Sequence, residues 1–149
     1  MRNVVLFLSA VLLGTAHAFV SPSVGAFGVK HRSSAMSPLQ AVIVVESDAA
    51  FDEAMASVKG DELVIVDYST TWCGPCKVIS PIFDELSDKY TDAVFVKVIG
   101  DATPEAARLM KREGVRSVPV FHYFKKGEKL EIVNGANAEV IEAMITKYL

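Results

Sequence analysis

Between Leu63 and Tyr68 the chain reads Leu-Val-Ile-Val-Asp-Tyr, a near-continuous apolar run that predicts a strand buried on both faces. Around it the apolar positions change period repeatedly. Ala41–Val45 predicts a short strand, and Phe51, Met55 and Val58 recur at helical spacing behind a capping Ser47 or Asp48. Gly60-Asp61 marks a turn. Beyond the buried strand, Thr70–Cys73 leads into a helix reaching about Tyr90, with Pro81 predicting a kink inside it. Ala93–Ile99 reads as a further strand. Thr103-Pro104-Glu105 sets a capping hydroxyl, a proline at the first helical position and an acid near the positive end, and that helix should stop at Gly114. Val118–Phe124 and Leu130–Val133 read as strands joined through Lys126-Gly127 into an antiparallel hairpin. Asn137 caps a final amphipathic helix with Val140, Ile141, Met144, Ile145 and Tyr148 facing inward. The order βαβαβαββα predicts an α/β fold, a central mixed β-sheet with helices on both faces.

The first forty residues follow different rules. Met1–Ala18 has a basic start at Arg2, an apolar run Val4–Leu13 and the small-x-small pattern Ala16-His17-Ala18, which together predict a cleaved signal peptide. The apolar run is about ten residues, short of the ~20 that a membrane-spanning helix needs, so an N-terminal anchor is the weaker alternative. Residues 19–41 carry Ser21, Ser23, Ser33, Ser34 and Ser37 with Lys30, His31 and Arg32 and no acid, a transit-peptide composition. The folded domain then occupies residues 42–149. A signal peptide followed by a transit-like segment, with Phe19 directly after the cleavage site, resembles the bipartite presequences of algae with secondary plastids. That resemblance implies the plastid stroma as destination. A secreted or ER-lumenal protein with an N-terminal extension is the alternative.

Charge and cysteine content narrow the function classes. From Glu46 onward the chain holds all 18 acidic side chains but only 12 of its 15 basic ones, a net charge of about −6. A broad basic surface for nucleic acid is therefore not expected. No later segment is apolar and long enough to span a bilayer, so no stable membrane association is expected. The two cysteines are too few for a disulfide-stapled scaffold, and the scattered His17, His31 and His122 cannot complete a zinc site with them.

The pair itself carries chemistry. Trp72-Cys73-Gly74-Pro75-Cys76-Lys77 stands where the buried strand turns into a helix. Three-residue spacing at a helix start lets the two sulfurs meet on one turn, within bridging distance. Cys73, leading, faces unpaired backbone N–H groups and the positive dipole end, both of which favour the attacking thiolate. Cys76 lies one turn deeper, suited to a resolving thiol. Pro75 falls in the first turn, where its missing N–H has no partner to lose. Asp67 is an acid in an otherwise apolar strand, expensive unless paired or used; burial raises its pKa and makes it a plausible proton acceptor for Cys76, with a structural ion pair to Lys97 as the alternative. Pro119 inside an apolar run argues against an ordinary central strand position.

The hexapeptide resembles the active-site signature of thioredoxins, and the resemblance extends over roughly Ala41 to Leu149. It implies that Asp67 is the family's buried acid beneath the resolving cysteine and Lys97 the lysine that pairs with it. It implies further that Val118-Pro119 is the cis-proline segment opposite the dithiol, and Gly135 the glycine that flattens the substrate surface after the last strand. Trp72, Gly74, Pro75, Val118, Pro119 and Gly135 would then cradle target backbone. The implied activity is protein-disulfide reduction by dithiol–disulfide exchange through Cys73 and Cys76, by a monomer with no bound cofactor. Its implied partners are disulfide-containing target proteins and a thioredoxin reductase, ferredoxin- or NADPH-linked. Departures exist: Val120 stands where the family usually has Thr, and Ser69-Thr70-Thr71 replaces the commoner aromatic-Ala-x run. The third cysteine that some plastid thioredoxins carry near Gly100 is absent, which leaves f-like and h-like subtypes open.

Two rival functions compete with this one. An oxidase or isomerase of the secretory pathway fits the signal peptide, but oxidising relatives usually place His before the second cysteine, where this chain has Pro75, and Lys147-Tyr148-Leu149 is no retention signal. A non-catalytic subunit would not need Cys73, Cys76, Asp67 and Lys97 all intact.

Overall fold

The computed structural model describes residues 42–149; the expected signal and transit segments lie outside the described residues. Nine elements follow in order: β1 (Ile43–Val45), α1 (Asp48–Ser57), β2 (Leu63–Ser69), α2 (Gly74–Lys89), β3 (Ala93–Ile99), α3 (Pro104–Arg112), β4 (Val120–Lys125), β5 (Glu128–Asn134) and α4 (Ala138–Tyr148). This is the expected βαβαβαββα. The strands form one sheet in the order β1-β3-β2-β4-β5, with β1, β3 and β2 parallel and β4 and β5 antiparallel to their neighbours.

All seven residues of β2 are buried, as a strand covered on both faces requires. Alternation along it feeds two cores. Leu63 and Ile65 point to the face covered by α2 and α4, where Ile79, Phe83, Phe95, Phe121, Ile141 and Ile145 pack. Val64, Val66 and Tyr68 point the other way, against Phe51, Ala106 and Leu109 of α1 and α3. His122, on that second face, packs with its ring centroid 4.7 Å from that of Tyr68 and tilted to it, and burial pushes its pKa down to about 4. It is a neutral aromatic filler there.

Helix ends follow local chemistry. Ser47, Thr103 and Asn137 each accept from a backbone N–H three residues on, at 3.2, 2.9 and 3.2 Å. Gly114, at φ +75°, ends α3 in a Schellman arrangement: its N–H donates to Lys111 O and that of Val115 to Met110 O. Helix α2 runs through Pro81, which leaves the Lys77 carbonyl without its partner four residues on.

Three expectations shift. β4 begins at Val120 rather than Val118, because Pro119 has no N–H to give the ladder. β5 is longer than expected, Glu128–Asn134, since the two-residue Lys126-Gly127 turn, both residues at positive φ, lets pairing start immediately. Val140 is 40% exposed instead of facing inward: α4 buries only Ile141 and Ile145 fully, and Val140 lies at the edge of that stripe.

Candidate active site

Register decides which residues meet. The last residues of β2 lie opposite the first of β4, with Tyr68 beside Val120. Val118 and Pro119 are therefore delivered alongside the segment that leaves β2 and enters α2. Asn134, the end of β5, is also beside Val120, so Gly135 follows at the same end of the sheet. Its N–H donates to Pro119 O at 2.9 Å, with Gly135 at φ +89°, a conformation that favours glycine. The Val118–Pro119 peptide is cis.

Cys73 is the N-cap of α2 and Cys76 sits in its first turn, and the two form a disulfide with Cα atoms 5.3 Å apart. The Cys73 sulfur occupies the place that a serine or threonine oxygen fills elsewhere in the chain: Cys76 N–H donates to it at 3.2 Å. In the dithiol state a thiolate at this position gains both that hydrogen bond and the positive end of a sixteen-residue helix. Both cysteines are 4% exposed, while Trp72, immediately before them, is 74% exposed. Gly74 and Pro75 are exposed in the first turn. A groove of about 220 Å³ runs between Trp72 and Val118, lined also by Thr70, Met110, Val115 and Arg116. The exposed indole thus stands beside both a reducible bond and an open groove.

Asp67 lies under this surface, 1% exposed, and its Oδ1 has no hydrogen-bond partner among the described residues. Burial pushes its pKa up to about 7, against the opposing pull of the Lys97 charge. Lys97 is its register partner on β3. The direct pair expected between them is not formed. Lys97 Nζ instead donates to Ser80 Oγ at 2.7 Å and pairs with Asp84 Oδ1 at 3.2 Å. Asp84 stands at the surface one turn beyond Ser80, whereas burial favours the neutral form of Asp67, which offers an ammonium less charge to meet.

Sequence reasoning missed Ser80 and Asp84 as neighbours of the site. It also missed Asp101, whose carboxylate accepts from Thr71 N–H at 2.9 Å and from the Thr71 hydroxyl, tying the segment before Trp72 to the β3–α3 connection. A Ser and an Asp four residues apart on α2 was the one signal available; the Thr71 contact spans thirty residues and had none. The vacant third-cysteine position also has a physical reading. A Cβ on Gly100 would stand 1.7 Å from Met110 Sδ, so the methionine of the groove occupies that space.

The comparisons agree with this chemistry. The thioredoxin family model matches residues 42–147. The chain is 47% identical over 107 residues to thioredoxin of Mus musculus, covering 72% of this chain and 98% of the mouse protein. Among solved structures it is similar to a reduced Schistosoma mansoni thioredoxin pre-protein (TM-score 0.67, 38% identity, 73% of this chain and 99% of that one). It is also similar to thioredoxin f of spinach chloroplast, short form (TM-score 0.65, 31% identity, 73% and 94%). A third similar chain comes from a complex of ferredoxin:thioredoxin reductase with thioredoxin f2 (TM-score 0.65, 37% identity, 72% and 94%). A cysteine pair at a helix N-terminus, a buried acid and a family match over residues 42–147 lead to one assignment: the chain belongs to the thioredoxin family of thiol–disulfide oxidoreductases.

Proposed function

We propose that Cys73 attacks target disulfides, that Cys76 resolves the mixed disulfide with Asp67 as its base, and that this happens in a plastid stroma. The observation that carries the residue roles is the seat of Cys73 at the N-cap of α2, with the buried Asp67 beneath the pair. In the dithiol state the Cys73 thiolate attacks one sulfur of a target disulfide. A Cys73–target bond forms, the target's own S–S bond breaks, and the leaving thiolate takes a proton from water. Asp67 accepts the Cys76 proton; the resulting thiolate attacks Cys73 Sγ and expels the second target thiolate. Two electrons have moved to the target, and the protein is left as the Cys73–Cys76 disulfide. During the exchange Trp72, Gly74, Pro75, Val118, Pro119 and Gly135 hold target backbone.

The disulfide must then be reduced from outside. Electrons come from a ferredoxin-linked reductase, a reading supported by the similar thioredoxin f2 found with such an enzyme and by the stromal destination. Insulin reduction by the protein, driven in turn by a ferredoxin-linked and an NADPH-linked thioredoxin reductase, tests this. The ferredoxin-linked enzyme is expected to sustain turnover; turnover with the NADPH-linked enzyme alone would assign the other donor.

The destination rests on the presequence and is supported by the spinach chloroplast relative. A fusion of residues 1–45 to a fluorescent protein is expected to reach the stroma of an alga with secondary plastids. Phe19→Ala should stall it at the plastid membranes after normal ER entry, because Ala16 and Ala18 are untouched. Secretion or ER retention of the unaltered fusion contradicts the stromal reading and leaves the dithiol chemistry standing.

A further inference from the structure

Lys97 has the register position beside Asp67, yet its ammonium is held elsewhere. Ser80 and Asp84 are one turn apart on α2 and so present both oxygens to the same stretch of β3. The Lys97 side chain is 13% exposed and that of Asp84 is 56% exposed, so the cation is nearly enclosed while its partner stands at the surface. Beside this tether lies a cavity of about 120 Å³, lined by Lys97, Ser80, Cys76, Ser69 and Thr70.

Few charges face Asp67. β3 supplies Lys97, and α2 supplies Asp84, the two cysteines and, on the cavity wall, Lys77. β4 places Phe121 beside it, and α4 adds Ile141 and Ile145 to that core with Ala138, Met144 and the partly buried, uncharged Tyr148 packed against it. The Lys97 and Asp84 charges act on the Asp67 carboxyl in opposite directions, Lys97 lowering its proton affinity and Asp84 raising it.

We propose that Ser80 and Asp84 are positioning residues that anchor the Lys97 ammonium to α2, out of contact with Asp67, and so preserve Asp67 as a base for Cys76. The inference rests on the reading of Asp67 as that base. An ammonium in contact with the carboxyl would favour the ionised form and return its proton affinity toward the ordinary carboxylate range. An acid of that strength is mismatched to a thiol proton near pH 7. The tether keeps the cation close enough to tune Asp67 and too far to neutralise its function.

The test is an NMR titration of the Asp67 carboxyl in the oxidised full chain, where neither cysteine carries a proton. It reads the tether whether or not Asp67 serves Cys76; that role is read separately by the kinetics of Asp67→Asn. Asp84→Asn, at an exposed position, is expected to lower the Asp67 midpoint by about one pH unit, a tenfold loss of proton affinity. Ser80→Ala moves it the same way by less. In a Lys97→Gln background the effect of Asp84→Asn should shrink to less than half, because the cation it releases is gone. An unchanged midpoint in Asp84→Asn overturns the proposal. So does a shift in the Lys97→Gln background half as large as the original or larger, which would make Asp84 act on Asp67 directly.

Discussion

Cys73→Ser is expected to bring insulin reduction down to the uncatalysed background, while Cys76→Ser is expected to stop at a stable mixed disulfide. The asymmetry follows from position on one helix turn. Cys73 caps α2 and accepts the Cys76 N–H, so its thiolate is stabilised where a target can reach it beside exposed Trp72. A serine hydroxyl in the same place satisfies the cap but does not ionise near neutral pH and attacks no disulfide. The variant should therefore fold and be inactive. In the proposed mechanism Cys76 acts only after the first bond exchange, so its loss should leave attack intact and remove the exit. Gel mobility under non-reducing conditions, with and without dithiothreitol, separates the two outcomes. Normal insulin reduction by Cys73→Ser would displace Cys73 as nucleophile.

Asp67→Asn is expected to stabilise the oxidised protein at alkaline pH and to slow resolution of the mixed disulfide near neutrality. The folded-state pKa is raised from 3.8 to about 7, so between those values the native state binds more protons than the unfolded chain, and stability falls as pH rises. The penalty is absent below the lower value and complete above the upper one. A shift of that size in a side chain 1% exposed corresponds to about 4 kcal/mol at pH 8. Asparagine imitates the protonated acid and never incurs it. Denaturant unfolding should show the full gain at pH 8 and only about half a kcal/mol at pH 4, where wild-type Asp67 is largely neutral in the native state. A gain that did not depend on pH would mean that Asp67 is held by something other than burial. Equal single-turnover rates for the two proteins between pH 6 and 8 would reduce Asp67 to a structural residue.

What the sequence made legible was chemistry decided by near neighbours. The caps at Ser47, Thr103 and Asn137 and the stop at Gly114 each depend on atoms three to five residues away, and each is found where expected. The burial of Leu63–Tyr68 was readable because no polar alternation interrupts it except Asp67. Ends of elements governed by a partner strand were less legible. The start of β5 depends on how tightly Lys126-Gly127 turns, and the exposure of Val140 on where α4 settles against the sheet. The site divides in the same way. Cys73, Cys76 and Trp72 share one local motif. Asp67 and Pro119 stood out as a charge and a missing donor in apolar runs, Lys97 and Gly135 came from a family resemblance, and strand register brings all four to the same end of the sheet or beneath it. Family resemblance did not reveal that Lys97 turns to Ser80 and Asp84, because that choice depends on which oxygens α2 sets against β3 in the folded chain.

The central claim is that this dithiol gives its two electrons to a disulfide in another protein. A single-turnover reaction tests it most directly: the prereduced protein, freed of excess reductant, is mixed with insulin, and thiols on both partners are counted by alkylation and mass spectrometry. The account predicts that each Cys73–Cys76 disulfide formed is matched by two new insulin thiols, through a transient adduct carried on Cys73. Insulin left intact while both cysteines stay reduced, or an adduct carried on Cys76, would contradict it.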